Sequence, residues 1–149
     1  MNQDILELFL WSISPFGEAK IWIPAFIASS DLQTSTILLV GISANLLVFP
    51  LLYKSIEISN KYLLKNKFYK SNAIKLSLRA RRKTKNVIGK YGVWGLMIFV
   101  MVPIPFTGAY IGTIASYIFG INYKKTFIAI SIGIVGSSII VAYGTEFIK

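Results

Sequence analysis

Glu18 and Lys20 are the only charged side chains between Glu7 and Asp31, and Pro15, Gly17 and Pro24 interrupt the apolar stretch that holds them. Ionisable groups inside lipid are costly, so the pair reads as a binding site or a proton relay. Glu18 is then a proton-linked carboxylate, and Lys20 its partner or an anion contact. Backbone amides freed by the break add a polar tip suited to an anion or headgroup. If the break lies at the membrane surface instead, both charges are merely solvated.

A second break follows at Pro103, Ile104, Pro105, Thr107 and Gly108. Two prolines at spacing two remove two amide donors and crowd the preceding turn, which leaves either an opposing gate or a plain kink. Beyond it Gly108, Gly112, Ser116 and Gly120 recur every four residues, and Ala129, Gly133 and Ser137 repeat the device. Such faces let helices approach closely, and they permit a homodimer without requiring one. Asn45 is the strongly polar side chain of its own apolar stretch. It reads as an interhelical hydrogen-bonding group or as a member of the site.

A basic stripe separates the two halves. Residues 54–90 carry twelve of the sixteen Lys and Arg residues and one acid, Glu57, interleaved with Ile56, Leu63, Leu64, Phe68, Ile74, Leu76 and Leu78. That mixture suits a helix lying on an anionic leaflet, with Arg79, Arg81, Arg82 and Lys83 among the headgroups. A pure topology signal is the plainer reading. Nucleic acid is not expected as a partner, since no nucleic-acid-binding fold accompanies the charge.

The elements that hold these residues follow from composition. The chain has 149 residues, 54% of them hydrophobic, and a formal charge of +10. It is too apolar for a soluble domain of this size, and the bilayer is the expected solvent. With no histidine and no cysteine, imidazole bases, thiolates, disulfides and the usual zinc, haem and copper ligands are excluded. No pair of acids lies inside the apolar stretches, so neither an enzyme nor a cofactor is expected. Asp4 and Glu7 stand where a secretory signal would be basic, so the first stretch is expected to stay in the mature protein.

The apolar stretches are residues 5–29, 36–53, 93–120 and 126–143. The second and fourth run for 18 residues without a charge, enough at ~1.5 Å per residue to cross a core of ~30 Å. The first and third are broken near their middles. If they span, Lys124 and Lys125 fall opposite the basic stripe; if they dip in and return, those lysines join it in the cytoplasm while Asp4, Glu7, Asp31 and Glu146 lie outside. The second arrangement satisfies the positive-inside rule at every cluster. The expected fold is therefore an all-α, multi-pass cell-membrane protein with two re-entrant helical hairpins, each followed by a transmembrane helix. Its parts are residues 1–53, a cytoplasmic basic loop at 54–90, and residues 91–149, related as an inverted-topology repeat.

Glu18, Lys20, Ile23 and Pro24 resemble the first motif of the small multidrug export proteins, in which an arginine usually stands at the place of Lys20. Tyr91, Gly92, Trp94, Gly95, Leu96, Phe99 and Val100, then Pro103 to Pro105, Thr107 to Tyr110 and Gly112, resemble the second, with Phe106 in place of a usual glycine. That family resembles the wider DedA and VTT group, whose paired re-entrant hairpins and link to lipid translocation the resemblance extends to this chain as an expectation. The resulting reading is a transporter of amphipathic drugs or of lipids, with or without coupling to protons, whose substrate meets Glu18, Lys20, Pro24, Asn45, Pro103, Pro105, Thr107 and Gly108. The rival is a non-transporting membrane factor that holds anionic lipid or a partner protein through the basic loop.

Overall fold

A computed structural model describes residues 2–15, 18–63, 67–104 and 108–148. Pro105, Thr107 and Phe106 of the second break, Phe16 and Gly17 of the first, and Leu64 and Lys65 of the stripe lie outside the described residues, as does the side chain of Lys83. Among the described residues 87% are helical and none is in a strand. In order the helices are α1 (Asn2–Ile13), α2 (Glu18–Ser29), α3 (Thr34–Leu63), α4 (Lys67–Thr84), α5 (Ile88–Met101), α6 (Ala109–Ile118) and α7 (Tyr123–Ile148).

Two helices contain spans long and apolar enough to cross a membrane, at Thr34–Lys61 and Tyr123–Ile148. They run antiparallel. Thr34 Oγ1 donates to Glu146 Oε1 at 2.5 Å at one end, and the Tyr53 and Tyr123 rings lie 5.0 Å apart at the other. One end of the pair thus carries Asp31 and Glu146, and the other carries Lys54, Lys124 and Lys125.

The shorter helices divide between those ends. Asp4 at the start of α1 and Ser29 to Asp31 after α2 line one recess at the acidic end. At the basic end, a Cβ on Gly89 of α5 would lie 3.5 Å from the Phe119 ring that closes α6. The Asn60 amide of α3 donates to the Tyr117 hydroxyl of α6 at 3.1 Å. Helices α5 and α7 run parallel: Val93 and Trp94 share a groove with Lys125 and Ile128, Val100 abuts Gly133, and Met101 abuts Gly136. The described residues beside the breaks, Pro15 and Val102 to Ile104, therefore lie between the charged ends, exposed on the flank of the bundle.

Small residues set how closely the helices approach there. A Cβ on Gly112 would stand 2.9 Å from Val100 Cγ2, and one on Gly133 would stand 2.7 Å from Val100 Cβ. Val100 is consequently wedged between α6 and α7, which fixes the end of α5. Gly41 does the same for α2, because its Cβ would meet Ile23 Cγ1 at 2.9 Å. Ala129 and Ser137 are buried along the face that Gly133 belongs to.

The basic stripe is largely helical. Helix α3 continues past Tyr53 to Leu63, and α4 covers Lys67–Thr84, with Arg79, Arg81 and Arg82 exposed. Gly92, with φ 57°, kinks α5 near its start, a conformation that glycine adopts without steric cost.

Candidate functional site

The two breaks meet, and α2 supplies the charges. Pro103 and Pro105 have no amide to offer the carbonyls one turn back, and the Ile104 amide turns instead to the Val102 carbonyl at 2.8 Å. Helix α5 thus ends with exposed acceptors at the negative pole of its dipole. Lys20 Nζ fills that place, donating to the Val100 carbonyl at 2.7 Å and to the Val102 carbonyl at 3.0 Å. A buried ammonium is stabilised by just such acceptors.

Glu18 treats the next helix in the opposite sense. Helix α6 begins with Gly108 at its N-cap and no capping side chain of its own. The Tyr110 amide, one of the first donors of α6, donates to Glu18 Oε1 at 3.2 Å. A carboxylate at a helix N-terminus and an ammonium at a helix C-terminus both match the local dipole. Two residues of α2 therefore seal both halves of the broken segment. The Tyr110 hydroxyl donates in turn to the Ile13 carbonyl at the end of α1, joining the two breaks directly.

Glu18 is held there under strain. Its φ of 49° lies in the left-handed region, unusual for a residue with a side chain. It is 4% exposed, and its second oxygen, Oε2, finds no partner among the described residues. Gly108 is buried against it, and a Cβ there would overlap the Glu18 carboxylate. Strain, burial and an unpartnered carboxyl oxygen together make Glu18 a candidate site residue, since each costs stability.

Further polar groups share this depth. Asn45 lies one turn beyond Gly41, whose Cβ would touch Ile23 and Ala19, so the antiparallel register of α2 and α3 sets Asn45 level with the start of α2. It is fully buried, and neither its amide nitrogen nor its oxygen has a partner among the described residues. The interhelical bond that its residue type suggests is not made there. Ser12, fully buried near the end of α1, also has an unpartnered hydroxyl.

Glu18, Lys20 and Gly108 thus converge, with Asn45 at their level. Pro24 stands apart, half-buried inside α2, and Pro103 is exposed at the break. Pro105 and Thr107 fall outside the described residues. Arg79, Arg81 and Arg82 belong to α4 and do not join this site. Sequence reasoning missed Ser12, the Tyr110 amide and the Val100 and Val102 carbonyls. Only Tyr110 carried a signal, since an amide just after a break glycine is an unsatisfied helix donor. Among the described residues no group of three His, Cys, Asp or Glu side chains is placed to hold a metal ion.

The family model described as "Putative small multi-drug export protein" matches residues 18–140. The match opens on Glu18, just after the first break, and runs through the second. No curated protein and no solved structure matches the chain.

Proposed function

Because the chain belongs to the small multi-drug export family, we propose that it is a membrane transporter whose substrate site forms where the two helix breaks meet. The observation that carries this reading is the pair of α2 charges closing both ends of a broken helix, with Glu18 Oε2 left unsatisfied. Buried polar groups without partners cost free energy in the closed arrangement. A proton on Glu18, or a substrate that also reaches Asn45 and Ser12, offsets part of that cost and opens the seal.

In this account both broken segments are re-entrant hairpins, and the chain is an inverted-topology repeat. The parallel course of α5 and α7, and the return of α1 and α2 to the acidic end, support it. The basic end faces the cytoplasm by the positive-inside rule. Glu18 alternates between charged and protonated forms, while Lys20 holds the α5 terminus and supplies the counter-charge. Substrates are amphipathic drugs or lipids; lipid translocation is what the resemblance to the DedA and VTT group implies.

Flux in proteoliposomes tests the reading. Purified protein should move a fluorescent amphipathic cation or a fluorescently labelled phospholipid across the bilayer faster than protein-free vesicles do. A second reading, a membrane factor that only binds anionic lipid, is favoured by the exposed basic surface of α4. It predicts vesicle binding with no flux of either probe.

A further inference from the structure

Away from the helix breaks, a cavity of about 290 Å³ opens between α3, α4 and α6. Its walls grade from apolar to polar. Helices α3 and α6 both run toward the basic end, so along them the lining passes from Leu52 and Ile114, through Ile56, to Asn60, Tyr117 and Ile118. Asn60 donates to the Tyr117 hydroxyl at 3.1 Å, which leaves the phenol its own proton to give to another acceptor.

Helix α4 closes the cavity with Asn72, Ala73, Leu76 and Ser77. Lys70 precedes Ser77 by seven residues and Arg79 follows Asn72 by seven, two turns in each case. They stand on opposite edges of the side of α4 that faces the cavity, Lys70 three residues before Ala73 and Arg79 three after Leu76. Both are exposed. Glu57 is the one acid in residues 54–90.

From this we infer a binding site for one anionic phospholipid. An acyl chain lies against Leu52, Ile56, Leu76 and Ile114, and the phosphate sits at the mouth between Asn72 and the Tyr117 hydroxyl, in the positive field of Lys70 and Arg79 on the two edges of α4. The apolar depth requires a chain, the polar rim requires acceptor oxygens, and the charge selects a headgroup without a cation of its own. The site is distinct from the meeting point of the breaks. Because α6 connects the two, a lipid held here braces the helix whose N-terminus Glu18 caps.

Native mass spectrometry of the full chain tests the site. Protein taken from nanodiscs of mixed phosphatidylglycerol and phosphatidylcholine should retain one phosphatidylglycerol in preference to phosphatidylcholine by roughly tenfold or more, as two basic side chains near the headgroup imply. Lys70→Gln with Arg79→Gln, both at exposed positions, should bring the two lipids within about twofold of each other. Leu76→Trp, a half-exposed position that tolerates bulk, should fill the cavity and abolish retention. Equal retention of both lipids by the unaltered protein would overturn the proposal. So would a phosphatidylglycerol preference that survives Leu76→Trp or the double charge removal.

Discussion

The Lys20 ammonium and the Val100 carbonyl, 80 positions apart in the chain, meet at 2.7 Å. That bond makes a side chain of α2 the cap of α5. Two residues earlier, Glu18 receives the Tyr110 amide of α6 at 3.2 Å. The order of the charges, acid before base, matches the order in which α2 meets the start of α6 and the end of α5, so exchanging them would set each charge against a like pole.

Removing the Lys20 ammonium while keeping its stem should expose what the cap contributes. Lys20→Met leaves the Val100 and Val102 carbonyls without their charged donor, a loss of about 1.5–3 kcal/mol for a buried hydrogen bond to an ion. The denaturation midpoint in detergent should fall and transport should be impaired. Lys20→Arg retains positive charge and donors, so both properties should hold near their starting values. A Met variant as stable and active as the parent would remove Lys20 from the account.

Gly108 offers a purely steric test. Gly108→Ala places a methyl group where the Glu18 carboxylate lies, which displaces the carboxylate or the start of α6. Transport should drop sharply, and thermal stability should drop with it. Gly144→Ala is the control, because a Cβ there meets nothing within 4 Å. It should leave transport unchanged and stability unchanged or raised by up to about 1 kcal/mol, the usual helical gain.

The breaks and the two spans were legible in the sequence because proline, glycine and charge each leave a mark on residue type. The close approach at Gly112 and Gly133 was legible as a small-residue repeat. Lys20 stood out as a charge inside an apolar stretch, yet its partners did not, since they are backbone carbonyls that every residue has. Asn45 was expected to find a side-chain partner and instead finds none among the described residues. Nothing marked Ser12, one serine among several, because its burial depends on how α1 packs. The continuation of α3 to Leu63 was hidden by its charges, which resemble a loop's composition although Lys and Glu are good helix formers.

Membrane topology can be read by labelling, since the chain has no cysteine of its own. Single cysteines at Asp31 and Asn122 should react from opposite faces of the membrane, with position 122 reached from the cytoplasm. Labelling of both from outside would replace the re-entrant arrangement with full spans.

The central claim is that Glu18 works as a titrating carboxylate at the seal. Glu18→Gln is the direct measurement, because it keeps size and hydrogen-bonding capacity and removes the titration. Proteoliposomes holding the parent or the variant are given an imposed proton gradient, and flux of the fluorescent cation and of the labelled phospholipid is followed across external pH. The parent should show flux that varies with pH. The variant, matched for expression and thermal stability, should show either no flux or flux indifferent to the gradient. A Glu18→Gln protein that transports with the parent's rate and pH dependence would contradict the account and leave Glu18 as a cap for α6 alone.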